Sequence, residues 1–377
     1  MIRLLTIIGA RPQIIKAAAL SRAIQTNLSH DIREDLLHTG QHYDTNMSGV
    51  FFEELGIPQP TYQLNVGSAS HGKQTSAMIE GIESILLEKK HDAVVVYGDT
   101  NSTLAGAIAA SKLHIPVIHI EAGLRSFNKK MPEEVNRIMC DHASTLLFSP
   151  THQGIENLKK EGITHHSAPW TSDAQGVFHC GDIMYDNSLF FSNRDHGQTL
   201  QKYSLQGQRF GLCTIHRDTN TDDATNLRGI LEALSEITER HDCDLLLPLH
   251  PRTLHRMNDD HKRILEHSHR IFIIEPLSFL EMIDLESACS FIITDSGGVQ
   301  KEAFFFKKPC VIMREQTEWV ELVENGNAAL AGADKSKIIT SLEMLLKNES
   351  GMTWPNFFGD GHSAVFICNQ IMEFLKS

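Results

Sequence analysis

The stretch AVVVYGDTNSTLAG, residues 93–106, decides the fold class of this chain. Its first five residues, Ala93–Tyr97, form an apolar, valine-rich run, which predicts a short strand buried on both faces. A glycine and an acid follow, and small residues then predict a helix over Ser102–Leu113. A buried strand that runs into a helix is half of a βαβ unit, from which parallel sheets are built.

The same alternation of strand and helix extends through the rest of the chain. In the first half, further strands are predicted at Leu4–Ile8, Leu36–His38, Val117–Ile120 and Thr145–Ser149, and a helix at Pro12–Thr26. In the second half, strands are predicted at Phe210–Ile215, Asp244–Pro248, Ile271–Ile274, Phe291–Thr294 and Cys310–Met313, and helices at Asp223–Arg240 and Val299–Phe306. The pattern predicts an α/β fold of two Rossmann-like domains whose parallel sheets face each other across a central cleft.

The 377 residues suit two domains. Thr145–Ser149 is predicted to be the last strand of the first half. The polar, aperiodic segment Thr164–Gly181 is predicted to be a boundary, with an exposed excursion around Trp170. We therefore expect domains at 1–170 and 182–361, and a C-terminal helix within 362–377, at Ser363–Lys376, that packs back on the body.

Composition excludes several classes of protein. The formal net charge of −13 argues against nucleic acid or an anionic membrane as a partner. No apolar run approaches the roughly 20 residues of a membrane span, and the first one is too short for a signal peptide. Seven scattered cysteines predict reduced thiols in a cytoplasmic protein. The chain carries no H-E-x-x-H, G-x-G-x-x-G or Walker motif, so no metal, nicotinamide or ATP cofactor is expected.

Two segments at predicted strand ends are suited to phosphate. In Gly9-Ala10-Arg11-Pro12-Gln13, Arg11 lies at the start of a helix, where amides and a guanidinium favour an anion. In Thr294–Glu302 a hydroxyl and two glycines, Ser296, Gly297 and Gly298, precede a helix, and Glu302 is placed to bind sugar or ribose hydroxyls. An ordinary βα turn and an N-capped helix are the alternative interpretations.

Acids and histidines follow other predicted strands. Asp99 and Glu121 each come directly after an apolar strand, and Glu133 precedes Arg137 in MPEEVNR. Such acids suit proton transfer, with Arg125 and Arg137 able to hold one of them ionised; capping acids and structural ion pairs are the alternative. Four more residues extend this set: Lys16, one turn into the first helix, His216 and Arg217 in TIHR, and His250 in PLHPR.

Taken together, these motifs resemble one known family. GARPQIIK, HTGQHYD, YGDTNSTLAG, HIEAGLRS, PEEVNR, TIHR, PLHPR and TDSGGVQKE, in that order, are similar to the non-hydrolysing UDP-N-acetylglucosamine 2-epimerases over Leu4 to about Phe374. The resemblance implies a GT-B-like fold, an active site between two domains, a homodimer and no cofactor. It also implies the reaction: elimination of UDP to a 2-acetamidoglucal, then re-addition after a proton returns to the other face of C2.

The resemblance also implies residue roles. Arg11, His216, Ser296 and Gly297 would bind the diphosphate, with Gly298, Arg217 and His250 beside them, and Glu302 would bind the ribose. The residues of the sugar-side chemistry would be Lys16, Asp99, Glu121, Glu133 and Arg137.

The sequence departs from the bacterial UDP-GlcNAc epimerases in two places. Their H-R-R-E-N is His216-Arg217-Asp218-Thr219-Asn220 here, and their T-E-R-P-E is Thr317-Glu318-Trp319-Val320-Glu321. The first change puts in doubt the allosteric UDP-GlcNAc site of those enzymes. These details resemble more the branch that epimerises UDP-2,3-diacetamido-2,3-dideoxyglucuronate for surface polysaccharide. In that case Lys129, Lys130 or Arg125 is a candidate for binding the uronate carboxylate.

Other functions fit the same fold. A GT-B glycosyltransferase would pass the sugar to an acceptor and would not need C2 proton transfer. A UDP-sugar sensor would bind without turnover. A hydrolysing epimerase would release free sugar and UDP, but G-A-R-P-Q in place of G-S-R-A-E-Y disfavours it.

Overall fold

The computed structural model of the chain describes residues 1–41, 52–194 and 196–376, and of Pro251 and Arg252 it describes the backbone alone. The chain divides into two compact units. The first comprises Met1–Asn187 and Asn356–Ser377, and the second comprises Ser188–Pro355.

Each unit is built on one parallel sheet. The strands are, in chain order, β1 (Ile2–Ile8), β2 (Ile32–His38), β3 (Tyr62–Gln63), β4 (Ala93–Tyr97), β5 (Val117–Ile120), β6 (Leu146–Ser149), β7 (Gly176–His179), β8 (Phe210–Thr214), β9 (Asp244–Pro248), β10 (Ile271–Ile274), β11 (Phe291–Thr294), β12 (Cys310–Ile312) and β13 (Ala328–Leu330). The first sheet has the order β3-β2-β1-β4-β5-β6-β7, and the second has β10-β9-β8-β11-β12-β13.

Helices connect the strands, as parallel pairing requires. They are α1 (Arg11–Asn27), α2 (His71–Glu88), α3 (Asn101–Lys112), α4 (Pro132–Ala143), α5 (His152–Lys160), α6 (Ile183–Ser192), α7 (Gly197–Lys202), α8 (Asp218–Thr221), α9 (Ala224–Arg240), α10 (Pro251–Arg256), α11 (Asp259–His267), α12 (Phe279–Ala288), α13 (Gly297–Phe305), α14 (Val320–Glu324), α15 (Lys335–Asn348) and α16 (Ser363–Lys376).

The strand order places one switch point in each sheet. From β1 the chain moves outward to β2 and β3, and it then returns to the other side of β1 with β4. The second sheet repeats this arrangement at β8 and β11. At such a point the connecting segments diverge and leave a crevice at the carboxyl ends of the two strands, where open α/β sheets bind ligands.

The small residues of α3 are explained by its packing on the sheet. A Cβ at Gly106 would lie 2.7 Å from the Ile7 side chain and 2.9 Å from the Val96 side chain, so the helix approaches β1 and β4 closely. At its first turn the Thr100 hydroxyl accepts a hydrogen bond from the Thr103 amide, which caps the helix. This close packing places residues 98–101 directly above the end of β4.

Most predicted elements are confirmed. Ala93–Tyr97, Val117–Ile120, Asp244–Pro248, Ile271–Ile274, Phe291–Thr294 and Ser363–Lys376 have the predicted bounds, and the other predicted elements differ by a few residues at their ends. The α/β class with two Rossmann-like parallel sheets is confirmed. The terminal helix α16 packs against α1 of the first unit.

Residues 164–169 and 171–173 of the segment Thr164–Gly181 are exposed, as expected, but Trp170 is not, and the segment is not irregular throughout. The segment contains β7, which pairs with β6, so Thr145–Ser149 is not the last strand of this sheet. Trp170 is buried, and its ring contacts those of Phe178 and Phe374 at centroid distances of 5.3 and 6.4 Å. The apolar contacts of this segment are scattered singly along it, so they show no periodicity in the sequence.

The two units also differ from the domain bounds expected from sequence. Residues 171–187 and 356–361 belong to the first unit. There, the Asp186 carboxylate accepts hydrogen bonds from the amides of Ser363 and Ala364 at the start of α16, which ties the returning chain to α6. Edge strands β3 and β13 were not predicted, because β3 has only two residues and β13 (Ala-Ala-Leu) has none of the β-branched or aromatic residues that favour strands.

Two features of the described residues concern the environment of the protein. The seven cysteines are free thiols, and six of them are buried. Among the helices within the described ranges, none combines the length and the apolar character that crossing a membrane requires.

Replacing Trp170 with alanine should lower the free energy of unfolding by about 3–5 kcal/mol, because it leaves a cavity among buried aromatic rings. Urea unfolding followed by circular dichroism measures this change. The matched control is Phe127→Ala, which removes a ring that is 75% exposed and should change stability by about 0.5 kcal/mol or less. Equal effects of the two variants would contradict the packing described for Trp170.

Candidate active site

In the first unit, the turn after β1 is fixed by a buried glutamine. The Gln13 Oε1 accepts hydrogen bonds from the amides of Gly9 (2.9 Å) and Ala10 (3.1 Å), and its Nε2 donates to the Tyr97 carbonyl (3.0 Å). Gln13 therefore ties the ends of β1 and β4 together at the switch point. Arg11, the first residue of α1, is exposed at this edge.

Asp99 lies just beyond the end of β4 and pairs with a cation. Its Oδ2 is 2.6 Å from Nη2 of Arg137, on α4, and both side chains are partly buried. The adjacent Asn136 donates to the Asp99 carbonyl at 2.9 Å. Two adjacent residues of α4 therefore fix Asp99: Asn136 bonds to its backbone carbonyl, and Arg137 pairs with its carboxylate.

Glu121 lies just beyond the end of β5 and forms an ion pair with Lys16 of α1. Its side chain is only 12% exposed and that of Lys16 only 11%. Glu121 has φ = 72°, a left-handed conformation that is unusual for a residue other than glycine and that recurs at functional sites. Gly98 makes room for the pair, because a Cβ there would lie 3.0 Å from the Glu121 Oε2.

Glu133 and Glu134 begin α4 and have different environments. Glu133 is exposed. Glu134 is buried and accepts hydrogen bonds from the amides of Ser126 (2.7 Å) and Phe127 (3.0 Å), so it holds the preceding loop. The structure therefore leaves Glu133, not Glu134, accessible for a role in the site.

Arg125 does not hold a candidate acid, contrary to the sequence-based interpretation. It is buried, and its guanidinium bonds to Glu161 (2.8 Å) and Asp141 (2.7 Å). These contacts give Arg125 a structural role. The other cations considered for a carboxylate, Lys129 and Lys130, are exposed in the loop before α4.

In the second unit, Asp295 organises the switch point. Its buried carboxylate accepts hydrogen bonds from the backbone amides of His216 (2.9 Å) and Arg217 (3.0 Å) and from Nδ2 of Asn220 (2.9 Å). The end of β11 is thereby joined to the segment after β8. Asp295 is part of the predicted motif Thr294–Glu302, but the sequence did not show that it joins two strands, because its partners lie about 75–80 residues away in the chain.

Ser296, Gly297 and Gly298 form the turn from β11 into α13. Ser296 occupies the N-cap position, and its amide donates to the Thr294 Oγ1 at 3.0 Å. The indole of Trp319 donates to the Gly297 carbonyl at 2.9 Å and fixes the turn from the other side. The first amides of α13 and the positive end of its dipole are therefore held in one orientation, which suits an anion.

His216 and His250 follow β8 and β9. The His216 side chain is 60% exposed, and its Nδ1 is 4.0 Å from the Asp295 Oδ1. Partial burial and the nearby His250 lower the pKa of His216, while Asp295 acts in the opposite direction. His250 and Arg217 are exposed beside it. The switch point of this unit therefore presents two imidazoles and a guanidinium.

Glu302 lies one turn into α13 and has a neighbour that the sequence did not single out. Burial, and then the Glu302 carboxyl group, raise the pKa of the fully buried Glu286 well above the usual range of glutamates. Burial and the neighbouring carboxyl group of Glu302 thus both favour the protonated form of Glu286. The residues around Glu286 in the sequence do not indicate that this helical glutamate is buried.

In each unit the predicted residues follow the strands of the switch point or the next strand of the sheet, or they lie on α1, α4 or α13. The first holds Arg11, Lys16, Asp99, Glu121, Glu133 and Arg137, and the second holds His216, Arg217, His250, Ser296, Gly297, Gly298 and Glu302. His42, Tyr43 and Asp44 of the HTGQHYD motif lie outside the described residues. Within residues 1–41, 52–194 and 196–376, no three His, Cys, Asp or Glu side chains are grouped so that they could hold a metal ion.

Comparisons with known proteins give a consistent result. The family model of UDP-N-acetylglucosamine 2-epimerase matches residues 25–372. A UDP-2,3-diacetamido-2,3-dideoxy-D-glucuronate 2-epimerase of Pseudomonas aeruginosa is 50% identical over 345 residues, which cover 90% of this chain and 91% of that protein. A UDP-N-acetylglucosamine 2-epimerase of Methanocaldococcus jannaschii is 41% identical over 367 residues, 96% of each chain.

The fold is similar to solved structures as well. The crystal structure of the M. jannaschii UDP-GlcNAc 2-epimerase in complex with UDP-GlcNAc and UDP matches with a TM-score of 0.82 and 40% identity, over 99% of this chain and 100% of that one. The family predicted from the motifs is confirmed, as is the particular similarity to the diacetamido-glucuronate branch. The chain therefore belongs to the UDP-N-acetylglucosamine 2-epimerase family and is an epimerase.

Proposed function

We propose that this epimerase inverts C2 of UDP-2,3-diacetamido-2,3-dideoxy-D-glucuronate and so makes the manno-configured uronate. One observation carries the choice of substrate. Identity is 50% with a relative named for that sugar, 44% with a relative named as a UDP-N-acetylglucosamine 2-epimerase homolog, and 41% with a relative named for UDP-GlcNAc. The departures at Asp218–Thr219 and at Trp319–Val320 agree with that difference.

The proton transfers are assigned to the acids of the first unit. Asp99 and Glu121 lie beyond adjacent parallel strands, and each is paired with a cation, Arg137 or Lys16. A nearby cation favours the ionised carboxylate, which is the form that accepts a proton. Glu133 is exposed in the first turn of α4 and completes the predicted set.

UDP recognition is assigned to the second unit. The amide groups at the start of α13 and the hydroxyl of Ser296 suit a diphosphate, as does His216. Arg217 and His250 are exposed next to His216. We assign ribose binding to Glu302, which lies one turn into α13. Arg11, at the start of α1, supplies a further cation for the departing phosphate.

The chemistry proceeds through two half-reactions. The C1–O bond to UDP breaks with its electron pair on the phosphate oxygen, and C2 loses a proton to a carboxylate, leaving the corresponding 1,2-unsaturated sugar (glycal), which keeps both acetamido groups and the uronate carboxylate. A proton is then delivered to the other face of C2, and the UDP oxygen re-forms the bond to C1. Carboxylates move the protons, and cations with helix amides stabilise the charge on UDP, so every step uses groups that this chain carries.

UDP-GlcNAc is the second candidate substrate, and the 41% identity with an epimerase named for it favours it. A glycosyltransferase is less well supported, because the two acid–cation pairs serve C2 proton transfer, which sugar transfer does not require. A non-catalytic sensor has no use for them either.

We further propose that the enzyme acts in the cytoplasm as a homodimer and serves surface polysaccharide synthesis, such as that of lipopolysaccharide. Exposed apolar side chains on α2 and α4 support a subunit interface, with Leu87 70%, Met139 46% and Val135 38% exposed. Both helices pack against α3, and exposed apolar surface that forms one patch is typical of contacts between subunits.

Proton NMR in D2O should reveal deuterium at C2 of UDP-2,3-diacetamido-2,3-dideoxy-D-glucuronate and the appearance of its manno epimer. The physical reason is that C2 receives its new proton from a carboxyl group, whose own proton exchanges with the solvent. UDP-GlcNAc, tested in parallel, should exchange at least tenfold more slowly. Faster exchange of UDP-GlcNAc would reverse the choice of substrate, and exchange of neither sugar would contradict the elimination mechanism.

Replacing Asp99 with asparagine or Glu121 with glutamine should lower kcat by about 10²–10⁴-fold, since each change removes a group that exchanges a proton. Initial rates of epimerisation measure this loss. The control is Glu88→Gln on α2, a carboxylate whose side chain is 72% exposed. If the Asp99 and Glu121 variants lost UDP affinity but kept kcat, these acids would bind substrate and not transfer protons.

Replacing Ser296 with alanine should weaken UDP binding by roughly 10–100-fold, because a hydrogen bond to a charged group contributes about 1.5–3 kcal/mol. Calorimetric titration with UDP gives the Kd. Ser287→Ala is the matched control, since the Ser287 hydroxyl donates to the Asp284 carbonyl within α12. An unchanged Kd for Ser296→Ala would remove that hydroxyl from the diphosphate site.

A further inference from the structure

A buried histidine links the two strands that carry the candidate acids. His119 lies in β5, two residues before Glu121, and its side chain is completely buried. Its Nδ1 is 2.7 Å from the Asp141 Oδ1, and its Nε2 is 2.8 Å from the Gly98 carbonyl oxygen. Gly98 immediately precedes Asp99, so the ring connects the strand of one acid to the turn of the other.

Both atoms that face the ring are acceptors. A neutral imidazole carries one N–H and can therefore donate to only one of them. A ring that donates to a carboxylate and a carbonyl at once is an imidazolium. Burial by itself lowers the pKa of His119, but the Cys140 and Asp141 side chains outweigh it and raise this pKa to about 10.

The charge of His119 is balanced by a buried network. Asp141 also receives hydrogen bonds from the Gly123 amide (3.2 Å) and lies 2.7 Å from Nη2 of Arg125, which in turn bonds to Glu161. His142 is 3.8 Å from Glu161 at the outer end of the network. The network anchors the far side of the ring, so the His119 Nε2 is held in one place.

The turn that His119 contacts is held at every carbonyl from residue 97 to residue 99. Tyr97 accepts from Gln13 and from the Thr103 hydroxyl (2.6 Å), and Asp99 accepts from Asn136. The middle carbonyl, that of Gly98, accepts from His119. Of these donors, His119 is the one located on the strand that carries Glu121.

We propose that His119 is a positioning residue: its imidazolium links β5 to the Gly98 carbonyl and, together with the hydrogen bond from the Gly98 amide to the Ile120 carbonyl (2.9 Å), sets the separation of Asp99 and Glu121. The proposal rests on the roles assigned to those acids under the proposed function. A displacement of about 1 Å between groups that act on one substrate carbon is enough to lower a rate about a hundredfold.

Two substitutions separate the hydrogen bonds of the ring. In His119→Asn the amide ends near the position of Nδ1, so it still reaches Asp141 but not Gly98. In His119→Gln the amide extends to the position of Nε2 and still donates to Gly98. We expect His119→Asn to lower kcat about a hundredfold with KM within about twofold of wild type, and His119→Gln to keep at least tenfold more activity than His119→Asn.

The matched control is His91→Asn in the same unit. The His91 side chain is also fully buried, between the Asp35 carboxylate (3.2 Å) and the Lys89 carbonyl (3.1 Å), but it precedes β4 at the opposite end of the strand. This variant should lose stability in urea as His119→Asn does and retain its kcat. Equal kcat losses in the two His119 variants, or losses that follow the urea midpoints in all three variants, would overturn the proposal.

A measurement on the wild-type enzyme covers the case in which the variants do not fold. In 15N-histidine spectra, with His119 assigned by triple-resonance labelling, its ring should carry two N–H protons at pH 8.5. A single N–H, or titration near pH 6.5, would overturn the proposal. Because this spectrum needs no substrate, it is independent of the D2O exchange of the wild type, by which the proposed function itself is judged.

Discussion

In both units a single reversal of strand order determines where chemistry is possible. Crossover connections in a parallel sheet are right-handed, so a chain that first moves one way from the central strand and then the other leaves two connections on opposite faces of the sheet. The backbone ends of β1 and β4, and those of β8 and β11, are consequently uncovered. The polar residues discussed here follow these strands or their immediate neighbours.

Polar groups that are buried at such an edge are costly unless each has a partner. The first unit meets this requirement with side chains from several elements. Gln13 and Asn136 bond to carbonyls of the turn after β4, and Lys16 and Arg137 pair with Glu121 and Asp99. Leaving one partner of a buried ion pair without the other costs about 3–5 kcal/mol, so these pairs resist rearrangement. The two ion pairs therefore keep Asp99 and Glu121 at fixed positions.

The second unit uses a different arrangement. One buried carboxylate, that of Asp295, accepts the amides of the β8 segment and so joins the two strands at the switch point. Glu318 and Arg314 form a second, bidentate pair with both bonds at 2.8 Å, close to Gly297. The Arg314 guanidinium lowers the pKa of Glu318 against the effect of burial, so this pair is ionised across the neutral range. The turn before α13 is therefore rigid on both sides, as a helix N-terminus that receives an anion requires.

The sequence by itself determined the α/β class, most strand and helix bounds, and the strand ends that carry Asp99, Glu121, His216 and Ser296. These features depend on residues close together in the chain, because hydrophobic periodicity and glycine turns are local properties. It did not reveal that Arg125 serves Asp141, that Trp170 is buried, or that His119 holds Gly98. Each of these depends on which strands become neighbours and on which side chains then meet in a water-free interior. Only the tertiary structure decides such contacts, since the free energy of a buried charge or ring depends on partners that are far away in sequence.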